Sequence, residues 1–239
     1  MIADQPPRPA NIRNIVAINQ GRIPLSLAEP VCSRVEAGQA WEWIRRDHHV
    51  LDTRTSQAFG AGHIPGALNI HLSSGEFEQR AGWMLPPEGD VVMVVDAGEA
   101  AQLAVHKLAF VGLDRRIAGY VEMPAWNESR LPTASLAQIS VAELSRRLSE
   151  RDIRVLDVRE SAEWRGGHIA SAVHLNFKHL PERLGELPIA PDEPLAVVCA
   201  SGMRSSTACS FLLRAGFKRL LNVTGGMSAW QEAGCPVTP

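Results

Sequence analysis

An internal repeat with a spacing of 105 residues constrains the fold of this chain more than any other feature. The segment Val50-Leu-Asp-Thr-Arg54 recurs as Val155-Leu-Asp-Val-Arg159, and Gly62-His-Ile-Pro-Gly-Ala67 recurs as Gly167-His-Ile-Ala-Ser-Ala172. Self-similarity at one spacing indicates two copies of a single structural unit. A chain of 239 residues is long enough for two such units, each with its own core.

The repeat continues into the second half of each copy with a slightly different spacing. Gly112 matches Gly216, and Met123-Pro-Ala-Trp126 matches Met227-Ser-Ala-Trp230, both 104 residues apart. A drift of this size indicates small insertions or deletions in loops. The two copies therefore extend over nearly the whole chain.

Each copy has the order helix, strand, short loop, strand, helix, which is typical of an α/β domain with a parallel sheet. We predict two such domains, each a parallel sheet flanked by helices. The boundary falls in the segment 130–135, which has the composition of a linker. The predicted order is a lead-in segment at 1–30, a first domain at 31–131, a linker at 132–138 and a second domain at 139–239.

The second copy carries the clearer signals for individual elements. Ser140-x-x-Glu143 is a capping box and predicts an amphipathic helix to about Arg151. Two apolar runs predict buried strands, at 153–158 and 195–199. The segment 205–215 predicts a helix that ends at Gly216.

Charge and hydropathy exclude several classes of partner. The chain has 24 Lys and Arg against 26 Asp and Glu, a formal net charge of −2, which gives no overall field to hold a nucleic-acid backbone or an anionic membrane. No segment approaches the ~20 consecutive apolar residues of a membrane span, and the N-terminus has no apolar secretion signal. We expect no nucleic-acid partner, no membrane association and a cytoplasmic location.

The four cysteines are widely and irregularly spaced, at Cys32, Cys199, Cys209 and Cys235. No C-x-x-C pair is present, so we expect thiols and not a zinc site or a redox pair. Neither copy has a histidine cluster such as H-E-x-x-H, and no catalytic metal or other cofactor is implied. Cys209 falls inside a predicted helix, where a packing role is expected, and Cys32 and Cys235 are expected to be incidental.

The loop that begins at Cys199 joins a predicted strand to a predicted helix. In this geometry several backbone N–H groups and the positive end of the helix dipole point toward the space above the cysteine sulfur. The same field favours a thiolate, which is the reactive form of cysteine. Gly202 allows the loop to turn tightly, and Arg204 supplies a fixed charge with a donor geometry suited to an anion.

We therefore predict Cys199 as a catalytic nucleophile. An alternative is an inert cysteine at a strand end, which is the commoner role of a free cysteine; the glycine, the arginine and the helix start favour the nucleophile. The predicted substrate-binding residues are Ala200, Ser201, Gly202, Met203, Arg204 and Ser205.

Three blocks in this order make the chain resemble the rhodanese family of sulfurtransferases. They are Leu156-Asp-Val-Arg-Glu160 with Glu163 and Gly167-His-Ile169, then Cys199-x-x-Gly-x-Arg204, then Gly225-Gly-Met-x-Ala-Trp230. The resemblance implies that Cys199 takes a sulfane sulfur from thiosulfate or a persulfide such as glutathione persulfide. The resulting Cys199 persulfide would pass the sulfur to cyanide or a thiol.

Loop length separates the main alternatives within this fold. Four residues lie between Cys199 and Arg204, whereas the related cysteine phosphatases place five there. The smaller ring suits a single sulfur atom better than a tetrahedral phosphate. A cysteine phosphatase and an arsenate reductase remain less favoured alternatives, and a sulfur-carrier or docking module that serves a protein thiol is a second reading from another class.

Other conspicuous polar residues are expected to be mainly structural. Asp157 and Arg159 lie at a strand end, where an ion pair or loop hydrogen bonds would fix the loops, with a supporting role toward substrate as the alternative. His63 and His168 recur in Gly-His-Ile and are expected to bond to backbone groups.

The first copy has the character of a degenerate site. We align Val95-Asp96 with Val198-Cys199, which places Asp96 at the nucleophile position and Ala101 at the position of Arg204. Asp96 and Glu99 would repel an anionic donor. Val121-Glu122 then stands in place of the glycine pair at 225–226. By its resemblance to tandem rhodaneses, the chain has an inactive first copy and an active second copy.

The lead-in segment resembles the linker that joins metallo-β-lactamase-fold persulfide dioxygenases to rhodanese domains in fusion proteins. It contains Pro6-Pro-Arg-Pro9 followed by Asn11-Ile-Arg-Asn-Ile-Val-Ala-Ile-Asn19. The resemblance implies a separate persulfide dioxygenase as a partner, since the metal ligands of that enzyme are missing from this chain.

Overall fold

The computed structural model describes residues 8–22 and 30–239. The described residues divide into two compact units, 8–134 and 135–239. Each unit is an α/β domain built on a parallel sheet with helices around it, as the alternation of elements predicts.

The first unit contains a four-stranded parallel sheet in the order β2-β1-β3-β4. Every residue of its inner strand β3 is buried, as expected for a parallel strand covered on both faces. The elements are α1 (Ile12–Asn19), α2 (Ala37–Ile44), β1 (His49–Asp52), α3 (Ser56–Ala61), β2 (Leu68–Asn69), α4 (Phe77–Met84), β3 (Val91–Val95), α5 (Gly98–Ala109), β4 (Ile117–Glu122) and α6 (Met123–Glu128).

The second unit contains a five-stranded parallel sheet in the order β5-β9-β8-β6-β7. Its core includes Leu144, Val155, Val198 and Trp230. The elements are β5 (Ala137–Ile139), α7 (Val141–Ser149), β6 (Arg154–Asp157), α8 (Ser161–Arg165), β7 (Val173–His174), α9 (Leu180–Arg183), β8 (Leu195–Val198), α10 (Met203–Arg214), β9 (Leu220–Val223) and α11 (Gly226–Glu232).

The predicted elements of the second copy are present with small shifts in their ends. The Ser140 side chain accepts a hydrogen bond from the Glu143 N–H at 3.2 Å and so caps α7. Helix α10 begins at Met203, two residues before its predicted start. Gly216 follows this helix with a φ of +94°, in the left-handed region that favours glycine.

Two predicted boundaries differ from the extents of the units. Strand β5 lies partly inside the segment 132–138 that we predicted as a linker, because it pairs with β9 and completes the second sheet. Helix α1 of the predicted lead-in is part of the first unit, where the Asn11 side chain donates a hydrogen bond to the Val111 carbonyl at 2.9 Å. Residues 1–7 and 23–29 of the lead-in lie outside the described residues.

Candidate active site

Cys199 lies at the carboxyl end of β8, an inner strand of the second sheet. The four residues 199–202 connect this strand to the first turn of α10. All of β8 is buried, so the strand fixes the position at which Cys199 leaves the sheet. In open parallel sheets, ligands bind at the carboxyl ends of the strands, and Cys199 lies at this edge.

The sulfur of Cys199 has two polar neighbours. The Gly202 N–H donates a hydrogen bond to Sγ at 3.2 Å, and the Ser205 hydroxyl oxygen lies 3.4 Å from Sγ. Gly202 has a φ of +99°, and a Cβ there would lie 3.2 Å from the Val223 carbonyl oxygen. This glycine is therefore required both by the left-handed turn and by the close approach of β9.

A second layer of hydrogen bonds holds these neighbours in place. The Ser205 hydroxyl donates to Asn222 Oδ1 at 2.6 Å, and Asn222 Nδ2 donates to the Gly202 carbonyl at 3.2 Å. All three residues are buried. The sequence pattern pointed to Ser205 and Gly202 but not to Asn222, because 17 residues separate Asn222 from Ser205.

The start of α11 fixes the outer side of the same loop. The Met227 N–H donates to the Cys199 carbonyl at 2.7 Å, and the Ser228 N–H donates to the Ala200 carbonyl at 3.0 Å. A Cβ on Gly226 would lie within 2.6 Å of the Ala200 carbonyl group and closer still to the Cys199 oxygen. The glycine pair at 225–226 thus allows α11 to hold the loop carbonyls.

Arg204 forms a bidentate ion pair with Glu163 of α8. Arg204 Nη1 and Nη2 lie 2.6 Å and 2.7 Å from the two carboxylate oxygens. Burial disfavours the ionised carboxylate, but hydrogen bonds from Arg204 and from the Glu160 N–H outweigh that effect and lower the pKa of Glu163. The sequence block contained Glu163 but gave no indication of this contact.

The other predicted substrate-binding residues differ in their exposure. Ser201 is exposed at the tip of the loop, and Ala200 and Met203 are half-buried. Cys199 itself is buried. The structure thus brings the sulfur, Gly202 and Ser205 together and directs the Arg204 guanidinium to Glu163.

Asp157 and Arg159 form a buried ion pair that also ties down a loop. Arg159 Nη2 lies 2.7 Å from the Asp157 carboxylate and donates to the Gly167 carbonyl at 2.8 Å. Asp52 and Arg54 make the same contacts in the first domain, including a hydrogen bond to the Gly62 carbonyl at 2.7 Å. Because both domains have this pair, it belongs to the fold.

The repeated histidines bond to backbone groups, as predicted. His63 Nδ1 lies 2.9 Å from the Phe59 carbonyl, and His168 Nδ1 lies 3.2 Å from the Trp164 carbonyl. Each ring also stacks on the aromatic side chain four residues earlier. Burial lowers the pKa of His63, which favours its neutral form.

The other cysteines differ from Cys199 in their surroundings. Cys209 is buried inside α10, and burial together with the nearby Cys199 raises the pKa of its thiol. Burial raises the pKa of Cys32 to about 11. Both therefore remain thiols at neutral pH.

The register of the two sheets corrects our alignment of the copies. Asp52 pairs with Val94 in the first sheet, and the repeated Asp157 pairs with Val198 in the second. The N–H of the residue after each aspartate donates to the carbonyl of the same valine. The copies are therefore 104 residues apart along these strands, whereas we had aligned them at 103.

With the corrected spacing, Val95 takes the position of Cys199, and the placement of Asp96 there was wrong. Val95 is buried in β3, as Cys199 is buried after β8. Asp96 is the first residue of the loop and is exposed, like much of that loop. The first copy thus has an apolar side chain where the second has a thiol.

The same spacing places Ala100 at the position of Arg204 and Ala101 at that of Ser205. Our alignment of Ala101 with Arg204 was therefore also wrong by one residue. The spacing persists to the helix ends, since Gly112 and Gly216 both have positive φ. Neither alanine can supply a charge or a hydroxyl group.

Tyr120 takes the position of Asn222, since it pairs with Met93 as Asn222 pairs with Val197. The Tyr120 hydroxyl lies 2.7 Å from the place that a Cβ on Gly98 would take, so it fills space beside the loop.

Helix α6 follows β4 directly. The first copy therefore lacks a glycine pair at this point, and the residues 121–122 are not its replacement.

Within residues 8–22 and 30–239, no group of three or more His, Cys, Asp or Glu side chains is placed to hold a metal ion. Among the helices that the structure describes, none is long and apolar enough to cross a membrane.

A family model described as a rhodanese-like domain matches the chain twice, over residues 36–125 and 140–233. The two matches cover most of the chain. The chain therefore belongs to the rhodanese-like family and carries two copies of its domain.

Curated relatives match over the length of about one domain. A sulfurtransferase of Allochromatium vinosum is 37% identical over 101 residues, which are 42% of this chain and 92% of the relative. The thiosulfate sulfurtransferase GlpE of Shewanella oneidensis is 33% identical over 42% of this chain and 97% of its own. A putative sulfur carrier protein of Bacillus subtilis, YrkF, is 32% identical over 41% of this chain and 52% of its own.

Among solved structures, a rhodanese-related protein from Thermoplasma volcanium is 35% identical, with a TM-score of 0.39. The match covers 43% of this chain and 97% of that protein.

Proposed function

We propose that the second domain is a sulfurtransferase in which Cys199 is the nucleophile and carries the transferred sulfur. The observation that supports this most strongly is the hydrogen bond from the Gly202 N–H to Cys199 Sγ, within a loop at the carboxyl edge of the sheet. A backbone N–H aimed at sulfur stabilises negative charge there, which is the charge of a thiolate and of a persulfide.

Sulfur transfer through Cys199 takes place in two displacements. The thiolate attacks the terminal sulfur of thiosulfate, the donor S–S bond breaks, and sulfite leaves with the bonding electron pair. Cyanide or a thiolate then attacks the outer sulfur of the Cys199 persulfide, whose S–S bond breaks to regenerate the Cys199 thiolate. Covalent catalysis of this kind replaces one transfer by two easier steps.

The neighbours of Cys199 have distinct roles in this scheme. The 199–202 loop and Ser205 surround the sulfur, and Arg204 with its Glu163 partner provides the fixed cation nearest in sequence to the loop. Because Cys199 is buried, the loop must shift to admit a donor. Thiosulfate and a persulfide such as glutathione persulfide are the proposed donors.

Intact mass after incubation with a donor tests the proposal. The protein is treated with thiosulfate or glutathione persulfide, freed of excess donor and weighed, and then treated with cyanide. We expect a gain of one sulfur atom located on Cys199 and its loss on addition of cyanide. No gain with either donor, or a sulfur on Cys209 alone, would contradict the proposal.

A sulfur-carrier or docking module is the second candidate, and the match to a putative sulfur carrier of Bacillus subtilis favours keeping it. A carrier would load with sulfur as readily as an enzyme but turn over slowly with cyanide until its protein partner is added. Steady-state turnover with and without a purified persulfide dioxygenase, the proposed partner, separates the two. We place both activities in the cytoplasm, where cysteines remain as thiols.

A further inference from the structure

Two hydrogen bonds fix the direction of the hydrogen atom on Ser205. The Asn222 amide donates from Nδ2 to the Gly202 carbonyl at 3.2 Å, and a carbonyl oxygen can only accept. Asn222 Oδ1 must therefore face Ser205, whose hydroxyl lies 2.6 Å away. An amide oxygen also only accepts, so the single hydrogen of Ser205 is donated to Asn222.

This arrangement determines which group donates in the contact between Ser205 and Cys199. With its hydrogen on Asn222, the Ser205 oxygen presents a lone pair to Sγ at 3.4 Å. The contact is a hydrogen bond only when Cys199 is a protonated thiol whose S–H donates to Ser205. The Gly202 N–H reaches the same sulfur and suits either form.

We propose that Asn222 is a positioning residue that restrains the resting nucleophile by holding the Ser205 hydrogen away from the sulfur. When Cys199 loses its proton to solvent, the Ser205 hydroxyl must rotate toward the thiolate. Asn222 Oδ1, which is buried, is then left without its donor. Thiolate formation is therefore coupled to breaking the bond between Ser205 and Asn222.

The first domain provides an independent observation in support. Ala101 and Tyr120 take the positions of Ser205 and Asn222, and Val95 takes that of Cys199. Both members of the pair are thus missing where the thiol is missing, although the buried ion pair of Asp52 and Arg54 is present. The pair belongs with the thiol and not with the fold. Its regulatory meaning rests on the proposed function of Cys199.

A double-mutant cycle on thiol reactivity tests the inference. The variants are Asn222→Leu, Ser205→Ala and their combination, and the measurement is the rate of Cys199 alkylation by iodoacetamide across pH, with the site located by mass. Asn222→Leu frees the Ser205 hydroxyl, so we expect a rate about three- to tenfold higher at neutral pH and a profile displaced to lower pH. In the Ser205→Ala background, the same substitution still removes the bond from Asn222 Nδ2 to the Gly202 carbonyl but has no Ser205 hydrogen to free, so its effect on the rate should be much smaller.

Equal effects of Asn222→Leu in both backgrounds would overturn the proposal, as would a lower rate in a folded Asn222→Leu variant. A measurement on the unaltered protein is available if that variant fails to fold. The infrared difference between wild type and Cys199→Ala should contain an S–H stretch at neutral pH, moved to lower frequency by hydrogen bonding. Absence of that S–H band would also overturn the proposal.

The two proposals fail separately. Coupling between Asn222 and Ser205 without any sulfur gain from a donor would retain the restraint on the thiol and remove the sulfurtransferase function. Sulfur transfer without such coupling would retain the function and remove the role of Asn222.

Discussion

The two domains differ at the point where the chain leaves the corresponding inner strands, β3 in the first sheet and β8 in the second. In the first domain, β3 continues through Val95, which still pairs with Glu122 of β4. In the second domain, the strand ends at Val198, and Cys199 opens a loop whose carbonyls are held by the start of α11. The first domain therefore keeps regular strand pairing at this position, whereas the second domain has a loop whose groups contact the Cys199 sulfur.

Residues that serve the fold are present in both copies, and residues that surround the sulfur are present in one. The buried pairs Asp52–Arg54 and Asp157–Arg159 make equivalent contacts. The thiol, hydroxyl, guanidinium, amide and glycine pair occur together in the second copy alone. Comparison with the first domain thus shows which residues of the second domain maintain the fold and which surround the Cys199 sulfur.

The largest expected effect follows from removing the thiol. Cys199→Ala should lower sulfur transfer by about a thousandfold or more, because the variant lacks the proposed nucleophile. Folding should be retained, since a small side chain at a strand end is replaced by a similar one. Turnover with thiosulfate and cyanide, together with the far-ultraviolet circular dichroism spectrum, measures both.

Cys209→Ala is the matched control for that substitution. It removes a buried thiol of the same domain that burial holds in its neutral form. We expect transfer to remain within about twofold and stability to fall by about 1 kcal/mol. An inactive Cys209 variant beside a fully active Cys199 variant would reverse the assignment.

The next largest effect should come from the glycine pair that the first domain lacks. Gly226→Ala places a methyl group against the Cys199 and Ala200 carbonyls at a backbone φ of +55°. We expect destabilisation of about 2–4 kcal/mol and a loss of transfer of about a hundredfold, because displacement of the loop misplaces the sulfur. Urea unfolding and steady-state turnover measure the two effects.

Gly185→Ala is the control for a glycine in the same domain, since a Cβ there meets no atom within 4 Å. It should change neither quantity appreciably. Full activity of a folded Gly226→Ala variant would show that α11 does not shape the loop.

A smaller effect is expected from changes to the ion pair between Arg204 of α10 and Glu163 of α8. Arg204→Ala should lower kcat/KM for thiosulfate by about ten- to a hundredfold, because charge-assisted bonds to an anion are lost. Arg204→Lys should restore part of the activity, since it keeps the charge but not the fork of donors. Glu163→Gln should have a smaller effect in the same direction, by loosening the orientation of Arg204.

The control for this charge is Arg146→Ala. Arg146 forms ion pairs with Glu143 and Glu150 on the exposed face of α7, so its loss should leave transfer unchanged. If Arg204→Ala and Arg146→Ala gave the same kinetics, Arg204 would have no part in binding the donor.

The sequence predicted the fold and the position of the loop after Cys199, because those signals are local. Capping at Ser140, the helix end at Gly216 and the glycine-containing loop after Cys199 each lie within a few residues of the element they define. Contacts between distant segments were missed. Arg204 and Glu163 are 41 residues apart, and nothing in the spacing of one chain joins them.

The misalignment at Asp96 has a physical cause. Strand β3 is a run of buried apolar residues, and its neighbour in the sheet, not its own sequence, sets its register. Matching two valines by identity placed the copies at a spacing of 103, whereas pairing with Asp52 and Asp157 gives 104. A shift of one residue changes which side chain of the first domain corresponds to Cys199.

The smallest expected effect concerns a cysteine introduced into the first domain, which should create no new activity. Val95→Cys, made in a Cys199→Ala background, puts a thiol at the equivalent position of the first domain. We expect no turnover with thiosulfate and cyanide, because Val95 is buried in a continuous strand and Ala100 and Ala101 supply neither charge nor hydroxyl. The Tyr120 hydroxyl also fills space beside the loop near Gly98.

Asp96→Cys in the same background tests whether an exposed thiol in this loop is sufficient for sulfur transfer. Position 96 is exposed, so this thiol should react with iodoacetamide much faster than the one at position 95 and yet transfer no sulfur. Intact mass after thiosulfate treatment measures loading in both variants. Persulfide formation at position 95 with turnover near that of the wild type would show that a cysteine at this strand end suffices. The hydroxyl, amide and glycine pair of the second domain would then be accessory to the reaction.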